Sequence, residues 1–78
     1  MDSSPSLTSK RTARELLANN LRRLRAERGL SQEDLAFEAN LHRTFVAHVE
    51  RGARNISIDN IEKLASALKM QSHELLMP

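Results

Sequence analysis

The stretch from Ser31 to Glu50 constrains the fold more than any other, because its punctuation leaves room for two helices of about eight residues each and nothing longer. Ser31 is a good N-cap, and Glu33 and Asp34 follow in the first turn, where carboxylates face the positive end of the helix dipole. Leu35, Ala36 and Ala39 make a narrow apolar stripe, so a helix is expected over about 32–39. Asn40 follows at once, and Asn is second only to Gly in tolerating the left-handed backbone of a sharp reversal. The chain is expected to turn through Asn40, Leu41 and His42 and to form another helix from about Arg43 to Glu50. On that helix Val46 and Val49 face inward, and Gly52 ends it.

The flanking segments read as further helices. Thr12 followed by Glu15 is a capping box, and Leu17, Leu21 and Leu24 then recur at helical spacing until Gly29, giving a helix over about 12–28. Ser57 caps a fourth helix, in which Ile58, Ile61, Leu64, Ala65 and Leu68 keep a 3.6-residue period through residue 68. A last short turn of helix is expected after Ser72. No segment alternates with period two. The expected fold is all-α, with five short helices in one domain over residues 12–78. Residues 1–11, polar, Pro-containing and patternless, are expected to be a flexible arm.

With no cysteine, neither a disulfide framework nor a thiolate metal site is available. There is no apolar run of the roughly 20 residues a membrane span needs and no signal-peptide core, so no membrane partner is expected and a cytoplasmic location is the default. Charge is more informative by position than by sum. Between Lys10 and Arg28 seven cations face two acids, whereas residues 56–78 carry Asp59, Glu62 and Glu74 against Lys63 and Lys69. A molecule basic on one side meets a polyanion in a preferred orientation. Charge alone equally fits a solvated helix face. The spacing weighs for the first reading: two short helices joined by a three-residue turn, here residues 31–50, form a helix-turn-helix unit whose second helix reads DNA.

At these residues the sequence resembles the Xre family of helix-turn-helix regulators, related to the phage lambda-type repressors. The resemblance is carried by LSQEDLAFEANLHRTFVAHVERGARNISIDNIEKLASAL, residues 30–68, together with RRLRAERG in the first helix. Within it, LHRTF, VERGARN and SIDNIEKLA look like the controller proteins of restriction-modification systems, small dimeric regulators of their own operon. Three positions depart from the family pattern. Asn40 replaces the usual Gly, His42 replaces a capping Ser or Thr, and Lys69 replaces the Gly after the fourth helix.

The resemblance implies a lambda-repressor-like fold that binds a palindromic operator in double-stranded DNA as a homodimer. It implies base contacts from Arg43, Thr44, Ala47 and His48, and phosphate contacts from Gln32, Arg51, Arg54 and Asn55. Physics supports Gln32, because a helix N-terminus offers free N–H groups to a phosphate. It further implies an ion pair between Arg25 and Glu50, and pairing of two chains through the C-terminal segment with Met70, Leu75, Leu76 and Met77, the alternative being that Leu75 and Leu76 cap the intramolecular core. Of the two aromatics, Phe45 is expected to pack near the edge of the unit, and Phe37 to be core or interface.

His42, His48 and His73 lack the spacing of a helical metal pair, so no metal or other cofactor is expected. Catalysis has no support either: there is no Gly-rich phosphate loop or nucleophile elbow, and the Ser57 of a nominal Ser57, Asp59, His73 set reads better as a helix cap. Neither an enzyme nor a small-molecule substrate is expected. The competing function is an antitoxin that neutralises a toxin protein and binds DNA secondarily. Antitoxins often add a long extension, whereas this sequence stops at Pro78 just after the last expected helix, which favours the regulator. A nonspecific nucleoid or RNA-binding protein is disfavoured by the low net charge and the lack of an aromatic stacking platform.

Overall fold

The computed structural model describes residues 11–78, so the expected arm over residues 1–11 lies outside the described residues except for Arg11. Four α-helices follow: α1 (Ala13–Glu27), α2 (Gln32–Ala39), α3 (Arg43–Glu50) and α4 (Ile58–Ala67). The expected fifth helix is instead a 3₁₀ turn, Ser72–Leu76. Its local bonds span three residues, as in Glu74 N–H to Gln71 O at 3.0 Å. The carbonyls of Leu75 and Met77 are taken by the side chain of Asn20, at 2.8 and 2.9 Å, so the backbone here is tied outward to α1. Among the described residues there is no strand, and no helix is long and apolar enough to cross a membrane.

Helices this short are marginal by themselves, and their ends carry much of their definition. Thr12 Oγ1 accepts from Glu15 N–H at 3.1 Å while Glu15 Oε1 accepts from Thr12 N–H at 3.0 Å. Ser31 and Asp34 make the same exchange at 2.9 and 3.0 Å, and these bonds to Ser31 hold the exposed Asp34 carboxyl below its ordinary range. Ser57 caps α4 through Asn60 N–H at 3.1 Å. At the head of α3, His42 makes no side-chain capping bond.

All four helices stop in the same way. Gly29, Asn40, Gly52 and Lys69 have φ of 67°, 59°, 69° and 61°. The next residue's N–H then reaches back to a carbonyl of the last turn: Leu30 to Arg25, Leu41 to Ala36, Ala53 to His48 and Met70 to Ala65, at 2.8–3.0 Å. These are Schellman closures, which satisfy carbonyls that would otherwise be orphaned. Lys69 adopts this conformation although its Cβ disfavours it.

The helices pack around one core, with α2 against both α3 and α4, and the 3₁₀ turn against α1 and α4. Leu17, Leu21 and Leu24 of α1 meet Leu35, Val46, Val49, Leu64 and Leu68 there. Two large apolar residues lie outside the core. Ile58 is 79% exposed because it heads α4 one turn before Ile61, the first residue of that helix to touch the core. Phe37 is 83% exposed, since at about 100° per residue it falls on the far side of α2 from Leu35, Ala36 and Ala39. The interface assignment of Leu75 is also corrected. It is fully buried within its own chain, because it plugs the space between α1 and α4, whereas Met70 and Leu76 are half-buried and Met77 is exposed.

Replacing Lys69 with Gly is expected to stabilise the fold by about 0.5–1 kcal/mol, the left-handed penalty less the added flexibility of the unfolded chain. Urea unfolding of the two proteins checks it, and a lower midpoint for the Gly variant would contradict the strain argument.

Candidate nucleic-acid interface

The outward face of α3 is built by spacing. Arg43 and Thr44 open the helix, Ala47 and His48 lie one turn on, and Arg51 follows at its end, while Val46 and Val49 are buried on the opposite side. Arg43, Thr44 and Arg51 are exposed, and Ala47 and His48 are half-buried. The face therefore presents a cation, a hydroxyl and an imidazole around a small methyl group. That chemistry can hydrogen-bond to, and lie close against, the edges of base pairs.

What holds this face is a polar cluster at the other end of α3. The Glu50 side chain is only 3% exposed and accepts from Arg25 twice, Nε to Oε2 at 2.7 Å and Nη2 to Oε1 at 3.1 Å. This forked geometry is the strong form of a guanidinium–carboxylate pair. The same Oε1 accepts from Gln32 Nε2 at 3.0 Å. Arg25 Nη1 also donates to the carbonyl of Leu30 at 2.9 Å, and Arg22 Nη1 donates to the carbonyl of Glu50. One carboxylate thus joins α1, the start of α2 and the end of α3. The hydrogen bonds Arg25 donates to Glu50, opposed by burial and aided by the carboxylate's charge, raise the pKa of the Arg25 guanidinium above its ordinary value, so it stays cationic. Among the described residues no buried side-chain nitrogen or oxygen lacks a partner.

Gln32 is therefore positioned rather than free. One hydrogen of its amide goes to Glu50, and an amide carries two, which leaves the second for an external acceptor. In the loop after α3, Arg51 is exposed, and Asn55 Oδ1 accepts from Arg14 Nη2 on α1. Arg54 folds back against α3, with its guanidinium 5.6 Å from the Phe45 ring centroid and Nη1 3.4 Å from His48 Nδ1. Phe45 itself is half-buried against the core. Leu76 joins Leu17, Ile56 and Ile61 in a groove of about 290 Å³ bordered by Arg14, Arg54 and Asn55. Among the described residues no three His, Asp or Glu side chains gather as metal ligands would.

Sequence reasoning overlooked Arg14, Arg22 and Asn20. For Asn20 there was a signal: Leu17, Asn20, Leu21 and Leu24 stand at i, i+3, i+4 and i+7, so an amide occupies a core-facing position and needs buried partners. Arg14 and Arg22 carry no comparable mark, since each is one of many cations in α1.

The sequence pattern of the helix-turn-helix family matches residues 21–75. Control protein C.BamHI of Bacillus amyloliquefaciens is 48% identical over 64 residues, covering 81% of this chain and 79% of that protein. Control protein C.SmaI of Serratia marcescens is 43% identical over 63 residues, covering 81% of this chain and 75% of that one. Among solved structures, the hypothetical transcription factor NHTF from Neisseria superposes with a TM-score of 0.83 at 46% identity, over 86% of this chain and 77% of that one. The restriction-modification controller protein C.AhdI from Aeromonas hydrophila gives a TM-score of 0.75 at 52% identity, over 77% and 91% of the two chains.

Substituting Arg25 with Ala strands the Glu50 carboxylate and is expected to cost about 3 kcal/mol, the low end for a broken buried pair because Gln32 remains. The exposed pair Arg23–Glu27 is the contrast. Replacing Arg23 with Ala should cost about 0.5 kcal/mol or less. Equal, small effects of the two substitutions in chemical denaturation would show that the Glu50 cluster does not hold the fold.

Proposed function

From its membership in the helix-turn-helix family, which it shares with restriction-modification controllers, we propose that this chain is a transcriptional regulator that reads a specific operator in double-stranded DNA. The observation that carries the reading is the outward Arg43, Thr44, Ala47, His48 face of α3, held from behind by the Glu50 cluster. A rigid short helix with a cation at its leading end suits the major groove. Arg43 has the planar fork that gives two hydrogen bonds to guanine O6 and N7, so each half-site is expected to hold a guanine opposite it. Thr44 suits a thymine methyl or a phosphate. Gln32, Arg51 and Asn55 are phosphate contacts in this reading, and the protein acts in the cytoplasm.

One helix reads few base pairs, and a two-fold symmetric site uses the same helix twice, so the protein acts as a homodimer on a palindrome. The apolar groove with Ile56, Ile61 and Leu76, together with the exposed Met77, supports the C-terminal region as the dimer surface, with Leu75 serving the core. The named relatives C.BamHI and C.SmaI are control proteins, and by analogy this chain regulates the operon that contains it, a restriction-modification operon.

Arg43→Ala is expected to cost about 1–3 kcal/mol on the selected site and to relax preference at one base position. Arg51→Ala should weaken binding to cognate and scrambled duplexes alike and flatten the salt dependence, because a phosphate contact releases counterions without reading bases. Titrating both variants on both duplexes at two salt concentrations separates the roles. A uniform loss for Arg43→Ala would make α3 a backbone clamp. Leu76→Asp should turn the dimer into a monomer in sedimentation at micromolar concentration while leaving the helical content intact, and an unchanged mass would move the interface elsewhere.

A further inference from the structure

Arg54 belongs to the loop after α3, yet its side chain lies on the helix. Phe45 and His48 are three residues apart, one helical turn, so ring and imidazole sit side by side on one flank of α3. The Arg54 guanidinium is over the first, 5.6 Å from its centroid, and beside the second, with Nη1 3.4 Å from Nδ1. A guanidinium can only donate. The ring nitrogen facing it is then the acceptor, and a neutral imidazole with Nδ1 as acceptor carries its single proton on Nε2.

We infer that Arg54, seated on Phe45, is a positioning residue that fixes His48 as an Nε2–H donor, so that His48 selects a base offering an acceptor in the major groove and rejects cytosine. This rests on the proposal that α3 reads DNA. Guanine N7 and O6, adenine N7 and thymine O4 all accept in that groove, whereas cytosine presents an amino donor. A histidine free to exchange tautomers would accept from the cytosine amino group as well as donate to the others. Fixing the tautomer converts an ambiguous side chain into a one-sided reader. His48 is half-buried beside Ala47 on the same face as Arg43, which places this second reader one turn along the helix from the first. Arg54, itself solvent-exposed, thereby acts on sequence preference through His48.

Two measurements on the full chain test this. Long-range ¹H–¹⁵N correlation at alkaline pH, where histidines carry one ring proton, should show His48 as the Nε2–H form without DNA, and a larger Nδ1–H fraction in Arg54→Ala. His42 and His73 serve as internal controls that Arg54→Ala should not move. An unchanged His48 signature in Arg54→Ala would overturn the inference. In selection from randomised duplexes, the wild type should disfavour cytosine at one position of each half-site by about fivefold to tenfold, and both His48→Ala and Arg54→Ala should erase that preference at the same position while the Arg43 position persists. If Arg54→Ala weakens all duplexes alike and shifts no base position, Arg54 is a phosphate clamp and the inference fails. If the wild type selects no sequence at all, the DNA-reading proposal falls and takes the base discrimination with it, while the tautomer signature still reports separately whether Arg54 sets His48.

Discussion

The Glu50 carboxylate is buried at the end of α3, and a charge in that position is tolerated only with partners, since an isolated carboxylate out of water is far costlier than any single contact in so small a protein can offset. Its partners come from different elements. Arg25 reaches it from α1 and Gln32 from the first turn of α2, while Arg22 binds the carbonyl of the same residue. Satisfying one charge therefore fixes the mutual placement of three helices. Hydrophobic contact among Leu24, Leu35 and Val49 draws the same helices together but is not directional, so the angular definition comes from the forked guanidinium.

The proposed reading of DNA depends on that definition, because α3 is only a little over two turns long and in that role presents side chains at a set tilt. Its head lacks a side-chain cap at His42, whereas α1, α2 and α4 are capped by Thr12, Ser31 and Ser57. The first N–H groups of α3 therefore remain free to meet an anion or solvent, and the helix is held from its far end. Anchoring at Glu50 and openness at Arg43 suit an element that must stay rigid while its leading edge meets a ligand. The C-terminal region is secured by comparable means. Asn20 binds two carbonyls of the 3₁₀ turn, which seats Leu75 in the core and leaves Leu76 and Met77 toward the surface.

Much of this was legible in local chemistry. Ser31, Asp34, Asn40 and Gly52 mark helix ends through bonds to their own backbone or through tolerance of positive φ, so α2 and α3 could be bounded from the residues alone. Periodicity likewise identified Leu17, Leu21, Leu64 and Leu68 as core. It failed for Ile58, where the helix begins before its packing does; for Phe37, expected as core or interface, the angle on α2 excludes the core. At Lys69 the residue type itself gives no sign of left-handed backbone and only the family's Gly at that position marked it; here the closure from Met70 to Ala65 accompanies that backbone.

The sequence by itself determined where the four α-helices lie, the bounds of α2 and α3, and the set of residues that α3 displays, while the fifth helix it suggested folded as a 3₁₀ turn. Those properties follow from caps, turns and a 3.6-residue period, all set within a few neighbours along the chain. Only the tertiary structure decided that Asn20 would clasp the C-terminal turn, that Gln32 would be held by Glu50, that Leu75 would be core and Leu76 surface, and that Arg54 would lie on Phe45 beside His48. Each of these depends on which elements meet in space. Adjacent leucines or scattered arginines look alike along the chain, and they differ only in the partners that folding brings to them.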